Sequence, residues 1–366
     1  MTSGAERVAV VGTGLIGTSI GLAAARVGCE VTGWDADPSV ARRAAELVGF
    51  AAAATLEEAV RGADVIVVAT PIPTIAGLVV RALAAAPGDA VVTDVGSVKS
   101  HVVADVASAA DADRARRFIP GHPMGGSERS GPDHASASVV DGIVWAVTPP
   151  AGADPGSIER LEGWIERIGA RVVRMAPARH DRLVAFVSHL PQVASTALMD
   201  VAATEEADEP EILLLAAGGF RDLTRLASSN PALWSDILLS NREAIVEAIE
   251  IYTRRLAALR MQILQGDGPG VESVFDRAKA ARLRLATKPT VRAGVAVLQV
   301  PVPDRPGSLA ALTAALGEGG VNIEDLQIVH SPEGGRGTVH LTVAAEAAAS
   351  AATVLVANDF DPTRLA

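Results

Sequence analysis

The sequence of 366 residues predicts three consecutive segments: an α/β segment with a parallel sheet, an all-helical segment, and a small α+β segment. Short, nearly continuous apolar runs alternate with helical patterns as far as residue 176, which indicates the first segment. Between residues 177 and 286 no run has the pattern of a strand. A β-α-β-β-α order follows, so we place the domains at 1–176, 177–286 and 291–366.

The α/β segment is predicted from strands that are apolar along their whole length, which is typical of a parallel sheet covered on both faces. Helical patterns at 16–27 and 38–47 separate the first of these strands. The predicted strands are 7–11, 30–34, 64–69, 90–94, 117–120, 142–148 and 170–175.

The middle segment is predicted to be an all-α domain that also supplies a subunit interface, because its helices are long and apolar. Pro191 removes one helical N–H and frees the carbonyl of Val187, so a bend is expected there. Asn230-Pro231 follows the capping pattern of a helix start. The predicted helices are 180–204, 211–226 with a break at Gly218-Gly219, 231–265 as one long helix, and 272–285.

The last segment follows a polar linker at 287–290 and has the order of a ferredoxin-like domain that lacks its final strand. Only six residues follow Phe360, which is too few for a fourth strand by this reasoning. The predicted elements are strand 295–300, helix 308–318, strands 322–330 and 337–343, and helix 345–356.

Charge and composition exclude several classes of partner. The formal net charge of −11 argues against a nucleic-acid-binding protein, which normally carries a basic face. A single cysteine, Cys29, excludes a disulfide framework and a cysteine-based zinc site, and we expect no metal. The longest apolar stretch, 65–80, contains two prolines and is too short to span a membrane. We expect a cytoplasmic protein with no membrane partner.

A glycine-rich turn directly follows the first strand and opens a helix, as in a Rossmann-type dinucleotide-binding domain. The first glycine permits the tight turn, the second lets the backbone approach a pyrophosphate, and the third lets helix and strand pack closely. The predicted cofactor-binding residues of this turn are Gly12, Gly14, Leu15, Ile16 and Gly17.

Two further residues are predicted to line the cofactor crevice. Asp35 ends the second strand, where its carboxylate can accept the ribose hydroxyls and would repel a 2′-phosphate. No arginine follows it immediately, so we expect NAD rather than NADP. Thr70 follows the third apolar strand, whose carboxyl end lines the same crevice.

Several further segments contain polar residues that a buried α/β scaffold does not need. Together with the glycine turn, these segments resemble the motifs of a known family. The chain resembles the prephenate dehydrogenases and their arogenate-using relatives across nearly all of residues 7–285. Such enzymes transfer a hydride from the C4 carbon of the substrate to NAD⁺ while the ring carboxylate leaves as CO₂. The matching segments are 12–17, 94–99, 121–128, 188–191 and 218–227, with Trp234.

The resemblance implies roles for three side chains. His122 matches the catalytic histidine, and a neutral imidazole suits a base that accepts the C4 hydroxyl proton. Ser97 matches the serine that orients that histidine and the substrate hydroxyl. Arg225 matches the cation for a substrate carboxylate, for which a guanidinium fork is suited.

Four more residues are expected at the substrate. Three have bland alternatives: a structural role for His189, a core position for Trp234 and a merely exposed position for Arg221. His189 matches a family histidine beside the bend, Trp234 can wall the pocket, and Arg221 can add positive potential for a dianionic substrate. Gln192 stands where family members often have a second histidine. Because glutamine carries no charge there, the choice between prephenate and arogenate stays open.

Residues 302–309 and 320–323 resemble an ACT domain, which implies an aromatic amino acid as a regulatory ligand. The family resemblance also implies a homodimer.

Two alternative functions agree less well with the sequence. A 3-hydroxy-acid dehydrogenase relies on a lysine in the helical domain, whereas Lys279 is the only lysine between Ser100 and Arg284. A non-catalytic sensor of NAD and amino acids would not need a base, a serine and an arginine together.

Overall fold

The structure is a computed structural model, and it describes residues 5–125, 131–286, 295–303, 305–330 and 336–365. The chain divides into two compact units. One comprises Met1–Ala197 with Leu226–Ile251, and the other Leu198–Arg225 with Tyr252–Ala366. In the described part of the chain, no helix is long and apolar enough to cross a membrane.

The first unit contains a five-stranded sheet in the order β3-β2-β1-β4-β5, with every pair parallel. All four residues of β4 and of β5 are buried, which confirms the prediction from their continuous apolar pattern. Because the strands are parallel, their carboxyl ends meet at one edge of the sheet. The strands are β1 (Arg7–Val11), β2 (Glu30–Trp34), β3 (Ala51–Ala52), β4 (Val65–Val68) and β5 (Val91–Asp94).

Helices cover both faces of this sheet, and two apolar clusters pack beneath them. The start of the second helix shows how the sequence sets a boundary. Asp37 accepts a hydrogen bond from the Ser39 amide, Pro38 takes the first helical position, and Gly49 ends the helix at φ +83°. The helices are α1 (Leu15–Arg26), α2 (Pro38–Val48), α3 (Leu56–Val60), α4 (Ile72–Ala85), α5 (Ser100–Ala109), α6 (Ala112–Ala115) and α7 (Pro155–Arg167).

A second sheet of three strands is mixed, which corrects the prediction of a purely parallel arrangement. Strand β6 (Gly121–Pro123) pairs antiparallel with β7 (Val144–Val147), which pairs parallel with β8 (Arg171–Arg174). The predicted strand at 117–120 is wrong: only one bridge, between Val92 and Phe118, forms there. The amides of residues 117 and 118 instead close turns onto the carbonyls of residues 114 and 115, so they are not available to a strand ladder.

Residues 177–286 are helical without strands, as predicted, but two predicted helices are divided. A π-helical segment, Ala185–His189, precedes Leu190, since Pro191 cannot donate to the preceding turn. The helix predicted at 231–265 is interrupted at Asn241. The break predicted at Gly218-Gly219 lies just before these glycines, which begin a helix themselves. The helices are α8 (Pro177–Val184), α9 (Leu190–Glu205), α10 (Glu211–Leu214), α11 (Gly218–Thr224), α12 (Pro231–Ser240), α13 (Arg242–Gln265) and α14 (Gly268–Ala286).

The tail forms a four-stranded antiparallel sheet in the order β10-β11-β9-β12, with two helices. The expectation that the last strand is missing is wrong. Asp359, at φ 64°, turns the chain, and three residues suffice to pair with β9. The predicted linker, 287–290, lies outside the described residues. The elements are β9 (Val295–Pro303), α15 (Ser308–Glu318), β10 (Asp325–His330), β11 (Arg336–Ala344), α16 (Ala348–Ala357) and β12 (Thr363–Leu365).

Candidate active site

The glycine turn between β1 and α1 has the geometry that a pyrophosphate requires. Gly12 has φ +91°, and a Cβ atom there would lie 2.5 Å from the Ala69 carbonyl oxygen. A Cβ on Gly17 would lie 1.9 Å from the Gly12 oxygen, whereas the space in front of Gly14 is open. Within the described residues no side chain caps the start of α1, so its first amides can bind an anion. The turn therefore fits a dinucleotide.

The carboxylate of Asp35 is held beside this turn. Its Oδ2 accepts a hydrogen bond of 2.7 Å from the Thr13 amide, and its Oδ1 accepts one of 3.0 Å from the Asp37 amide. These bonds fix the carboxylate at the end of β2, where the ribose of a dinucleotide lies in this fold.

The other predicted cofactor residues shape the turn. Leu15 is buried and Ile16 is half-buried against the core, so both support α1 by packing. The methyl group of Thr70 lies against Gly12, and its hydroxyl lies 3.0 Å from the Thr74 hydroxyl. Thr70 thus closes the crevice from the end of β4.

A chain of three polar side chains lies at the same edge of the sheet. The Nδ1 atom of His122 is 2.9 Å from the Nε2 atom of His180, and the Nδ1 atom of His180 is 2.8 Å from the Oδ1 atom of Asp181. His180 and Asp181 are buried, whereas His122 is half-buried. Gly121 connects the chain to the sheet, because its amide lies 3.4 Å from the Asp94 carboxylate at the end of β5.

The hydrogen bonds determine which nitrogen of His122 can act as a base. The Asp181 carboxylate only accepts, so Nδ1 of His180 carries a hydrogen, and in that tautomer Nε2 of His180 is the acceptor. His122 therefore donates from Nδ1, which leaves the lone pair on its Nε2 atom. The chain Asp181–His180–His122 thus presents a fixed, neutral imidazole with an available acceptor nitrogen.

Asp181 is itself anchored by the start of α5. Its Oδ1 accepts a hydrogen bond of 2.8 Å from the Lys99 amide, and its Oδ2 accepts one of 2.7 Å from the Ser100 amide. Burial raises the pKa of Asp181, but the hydrogen bonds from His180 and Ser100 outweigh burial and lower that pKa. Asp181 is therefore an anion that orients His180.

The environment keeps His122 neutral. Burial among protein atoms, together with the nearby His180 and Lys99, lowers the pKa of His122 well below its ordinary value of 6.5. A neutral imidazole near pH 7 can accept a proton, which is the requirement for a general base.

Ser97 is half-buried in the turn between β5 and α5. The hydrogen-bond partner that the structure gives to Nδ1 of His122 is His180. The expected orienting role of Ser97 toward His122 and the substrate hydroxyl stays a prediction.

His189, at the end of the π-helical segment, forms a second group with the buried Asn241 and the half-buried Trp234. Nδ1 of His189 lies 3.1 Å from the Asn241 amide nitrogen, and the His189 and Trp234 rings meet edge to face at 6.0 Å. Asn241 also donates to the Asp181 carbonyl at 2.9 Å. Burial lowers the pKa of His189 to about 4, so His189 is neutral.

Gln192 is buried one turn after His189, and both ends of its amide have partners. Its Nε2 donates to the Leu226 carbonyl at 2.8 Å, and its Oε1 accepts from the Ser229 hydroxyl at 3.3 Å.

Arg221 and Arg225 lie in the other compact unit and are exposed. Their predicted contact with substrate stays a prediction. Residues 126–128 of the predicted 121–128 motif lie outside the described residues.

Sequence reasoning did not find His180, Asp181 and Asn241. His180 and Asp181 begin the helical segment at adjacent positions, and nothing in the local pattern separates them from exposed polar residues of a helix. Asn241 had one signal, an amide residue inside an apolar helical run. The structure ends one helix at Ser240 and begins the next at Arg242, where the sequence predicted one continuous helix.

The parallel sheet, the glycine turn and the half-buried imidazole of His122 at its carboxyl edge define a dinucleotide-dependent dehydrogenase with a helical domain after the nucleotide-binding domain. Comparison with known proteins gives the particular family. Residues 20–174 match the prephenate dehydrogenase nucleotide-binding domain, and residues 176–277 match the prephenate dehydrogenase dimerization domain. The chain belongs to the prephenate dehydrogenase family.

Individual relatives agree with this assignment. The prephenate dehydrogenase of Bacillus subtilis is 32% identical over 92% of both chains. The crystal structure of Aquifex aeolicus prephenate dehydrogenase with hydroxyphenyl propionate and NAD⁺ matches at 27% identity, with a TM-score of 0.72, over 78% of this chain and all of that one. The crystal structure of a Synechocystis arogenate dehydrogenase matches at 28% identity with a TM-score of 0.69. The match covers 76% of this chain and 99% of that one. The expected class, an NAD-dependent oxidoreductase, is confirmed.

Proposed function

We propose that this chain converts prephenate to 4-hydroxyphenylpyruvate and CO₂ with NAD⁺ as the oxidant. The observation that carries the proposal is the Asp181–His180–His122 chain, which leaves a basic nitrogen at the carboxyl edge of the nucleotide-binding sheet. This arrangement supplies the base that oxidation of a secondary alcohol needs. Family membership supplies the substrate class.

In this mechanism Nε2 of His122 accepts the proton of the C4 hydroxyl group as that carbon becomes a carbonyl. Bound NAD⁺ supplies the acceptor for the hydride from C4. The ring carboxylate leaves as CO₂, the ring becomes aromatic, and its oxygen regains a proton to give the phenol. His180 and Asp181 stabilise the imidazolium that forms on His122, since the Asp181 carboxylate compensates its charge.

The remaining predicted residues bind the substrate in this proposal. Arg225 pairs with a carboxylate, and Arg221 adds positive potential for the dianion. His189 and Trp234 wall the pocket, and Ser97 orients the hydroxyl group. Gln192 follows His189 by one helical turn, and in this proposal its position faces the substrate side chain while its amide bonds to Leu226 and Ser229.

Arogenate is the alternative substrate, because it differs from prephenate only in carrying an amino acid in place of the keto acid. The similarity to the Synechocystis arogenate dehydrogenase keeps this alternative open. The test is steady-state NADH formation with the two substrates in parallel. A higher kcat/KM with prephenate is expected. A higher value with arogenate would assign the alternative, and no NADH with either would refute the proposed activity.

We predict that the enzyme uses NAD and that Asp35→Ser shifts its preference toward NADP. The fixed carboxylate of Asp35 would face the 2′-phosphate, whereas a serine removes the repulsion. Losing hydrogen bonds from a charged group costs roughly 1.5–3 kcal/mol, so kcat/KM for NAD should fall about 10- to 150-fold. Asp37→Ser, which changes a neighbouring exposed carboxylate, is the control. Equal kcat/KM of the wild type for both cofactors would contradict the prediction.

We infer that the chain forms a homodimer through its helical segment, since residues 176–277 match a dimerization domain. Large apolar side chains of this segment are exposed, including Leu214, Leu215 and Phe275. Exposed apolar surface of this kind marks a protein interface. Sedimentation equilibrium tests the assignment, and a monomer at micromolar concentration would oppose it.

We further propose that the tail is an ACT-like regulatory domain that binds an aromatic amino acid such as tyrosine. Its strand order and helices support the proposal, and it has an apolar core of its own that includes Leu298, Leu341 and Leu355. The start of α15 offers amides to the carboxylate of such a ligand.

Truncation after Ala286 is predicted to leave a folded, dimeric and active enzyme that has lost any amino-acid effect exerted through the tail. The reason is that every proposed active-site residue precedes this point. The measurement is turnover of the full-length and truncated chains with and without tyrosine. An insoluble or inactive product would make the tail structural. Equal inhibition of both chains would place inhibition at the catalytic pocket.

A further inference from the structure

Lys99 is a lysine whose side chain is completely buried. Its ammonium group forms an ion pair with the buried Asp94 carboxylate and donates a hydrogen bond of 2.7 Å to the Gly121 carbonyl. Burying two charges is costly, and apolar side chains of similar volume often stabilise a core equally well. Stability alone therefore does not account for this pair, and the mechanism above makes no use of it.

The pair holds the backbone immediately before His122. Lys99 binds the Gly121 carbonyl oxygen, while the amide of Gly121 lies 3.4 Å from the Asp94 carboxylate. Both backbone polar groups of Gly121, its amide and its carbonyl, thus face one ion pair. The other oxygen of the Asp94 carboxylate accepts a hydrogen bond of 2.9 Å from the Gly96 amide. The turn that carries Ser97 is therefore held by the same carboxylate.

We propose that Lys99, paired with Asp94, is a positioning residue for His122, which it holds through the backbone of Gly121. The inference rests on the proposed function, because it treats His122 as the base. Lys99 contacts neither the substrate nor the cofactor in this role and acts only through the main chain and its electric field.

The charge of Lys99 gives this positioning role a second, measurable consequence at His122. Burial is the main cause that lowers the pKa of His122, the neighbouring His180, Lys99 and His189 lower it further, and Asp181 raises it. Among these four neighbours, Lys99 is the lysine. Its positive charge repels the positive charge that His122 gains on protonation. Removal of that charge should therefore raise the pKa of His122.

The test is the double variant Lys99→Met/Asp94→Asn, which removes both charges at similar volume and leaves no unpaired ion. The first readout is the pKa of the His122 ring by NMR titration of histidine-labelled enzyme, with the resonance assigned by its loss in His122→Asn. The second is kcat and KM. We expect kcat to fall about 10-fold with KM for NAD unchanged, and the pKa of His122 to change little, because two opposite charges are removed together. Arg174→Met/Glu162→Gln, which removes an ion pair elsewhere in the same unit, is the control and should change neither.

Single variants separate charge from hydrogen bonding and serve if the double variant does not fold. Lys99→Gln keeps a donor for the Gly121 carbonyl without the charge, so the pKa of His122 should rise while kcat falls less than in the double variant. Lys99→Arg keeps the charge, and the pKa should stay low. Folded variants with the wild-type pKa and kcat would overturn the proposal, as would lowered stability alone.

The NMR readout needs no turnover, so the two proposals can fail separately. If His122→Asn turns over normally, the proposed base is wrong, whatever Lys99 does. If His122→Asn is inactive but Lys99→Gln leaves both the pKa and kcat unchanged, the proposed function stands and the role of Lys99 fails.

Discussion

His122→Asn is expected to lower kcat by about 10²–10⁴-fold, the usual contribution of a positioned acid–base group, without changing the affinity for NAD. The amide nitrogen of asparagine can replace Nδ1 of His122 as the donor to His180, so the hydrogen bond at that side is retained. Only the acceptor nitrogen that receives the substrate proton is lost. The measurements are steady-state turnover with prephenate and the dissociation constant of NADH by fluorescence.

The pH profile provides the second readout of this variant. Because the pKa of His122 is well below 6.5, wild-type kcat/KM should stay high as the pH falls past 6.5 and decline only when the imidazole becomes protonated. The activity falls toward low pH because His122 acts as a base only when its imidazole is neutral. This decline should be absent from the residual activity of His122→Asn. Near-normal turnover, or the same acid limb in the variant, would remove His122 from the mechanism.

Much of the fold could be predicted because the signals are local. The run from Val8 to Gly17 contains a strand, a turn and a helix start, and Asp35 follows at the end of the next strand. Asn230-Pro231 likewise contains its own cap: the Asn230 oxygen accepts hydrogen bonds from the amides of Ala232 and Leu233. Such elements depend on neighbours within a few residues, so the sequence pattern suffices.

The errors occur where distant contacts decide the structure. One exception is local: in 117–120 the amides of residues 117 and 118 close turns onto residues 114 and 115, so a single bridge to β5 forms instead of a strand. The fourth strand of the tail is short and becomes stable only because β9 offers a pairing edge. In the site, His122 carries a recognisable motif, whereas the residues that fix it come from α8, some 58 positions later. No periodicity reports a side-chain contact over that separation.

His180→Phe is expected to lower kcat by about 10²–10⁴-fold, because it removes the acceptor that fixes the hydrogen of His122 on Nδ1. An unfixed imidazole populates the tautomer with hydrogen on Nε2, which cannot accept the substrate proton, and loss of a tautomer-fixing partner is known to have effects of this size. Phenylalanine fills the buried volume, so the fold should be retained, as measured by thermal unfolding. KM for prephenate should change much less than kcat, since His180 lies behind His122.

His180→Gln is the matched variant, because its side-chain oxygen can reach the region that Nε2 of His180 occupies and can accept from Nδ1 of His122. We expect His180→Gln to recover at least about 10-fold of the activity lost in His180→Phe, although its bond to Asp181 is altered. A merely structural role would instead make kcat follow the loss of thermal stability in both variants. Equal kcat values in two well-folded variants would show that the acceptor for Nδ1 has no part in catalysis, and full activity in His180→Phe would remove the Asp181–His180–His122 chain from the mechanism.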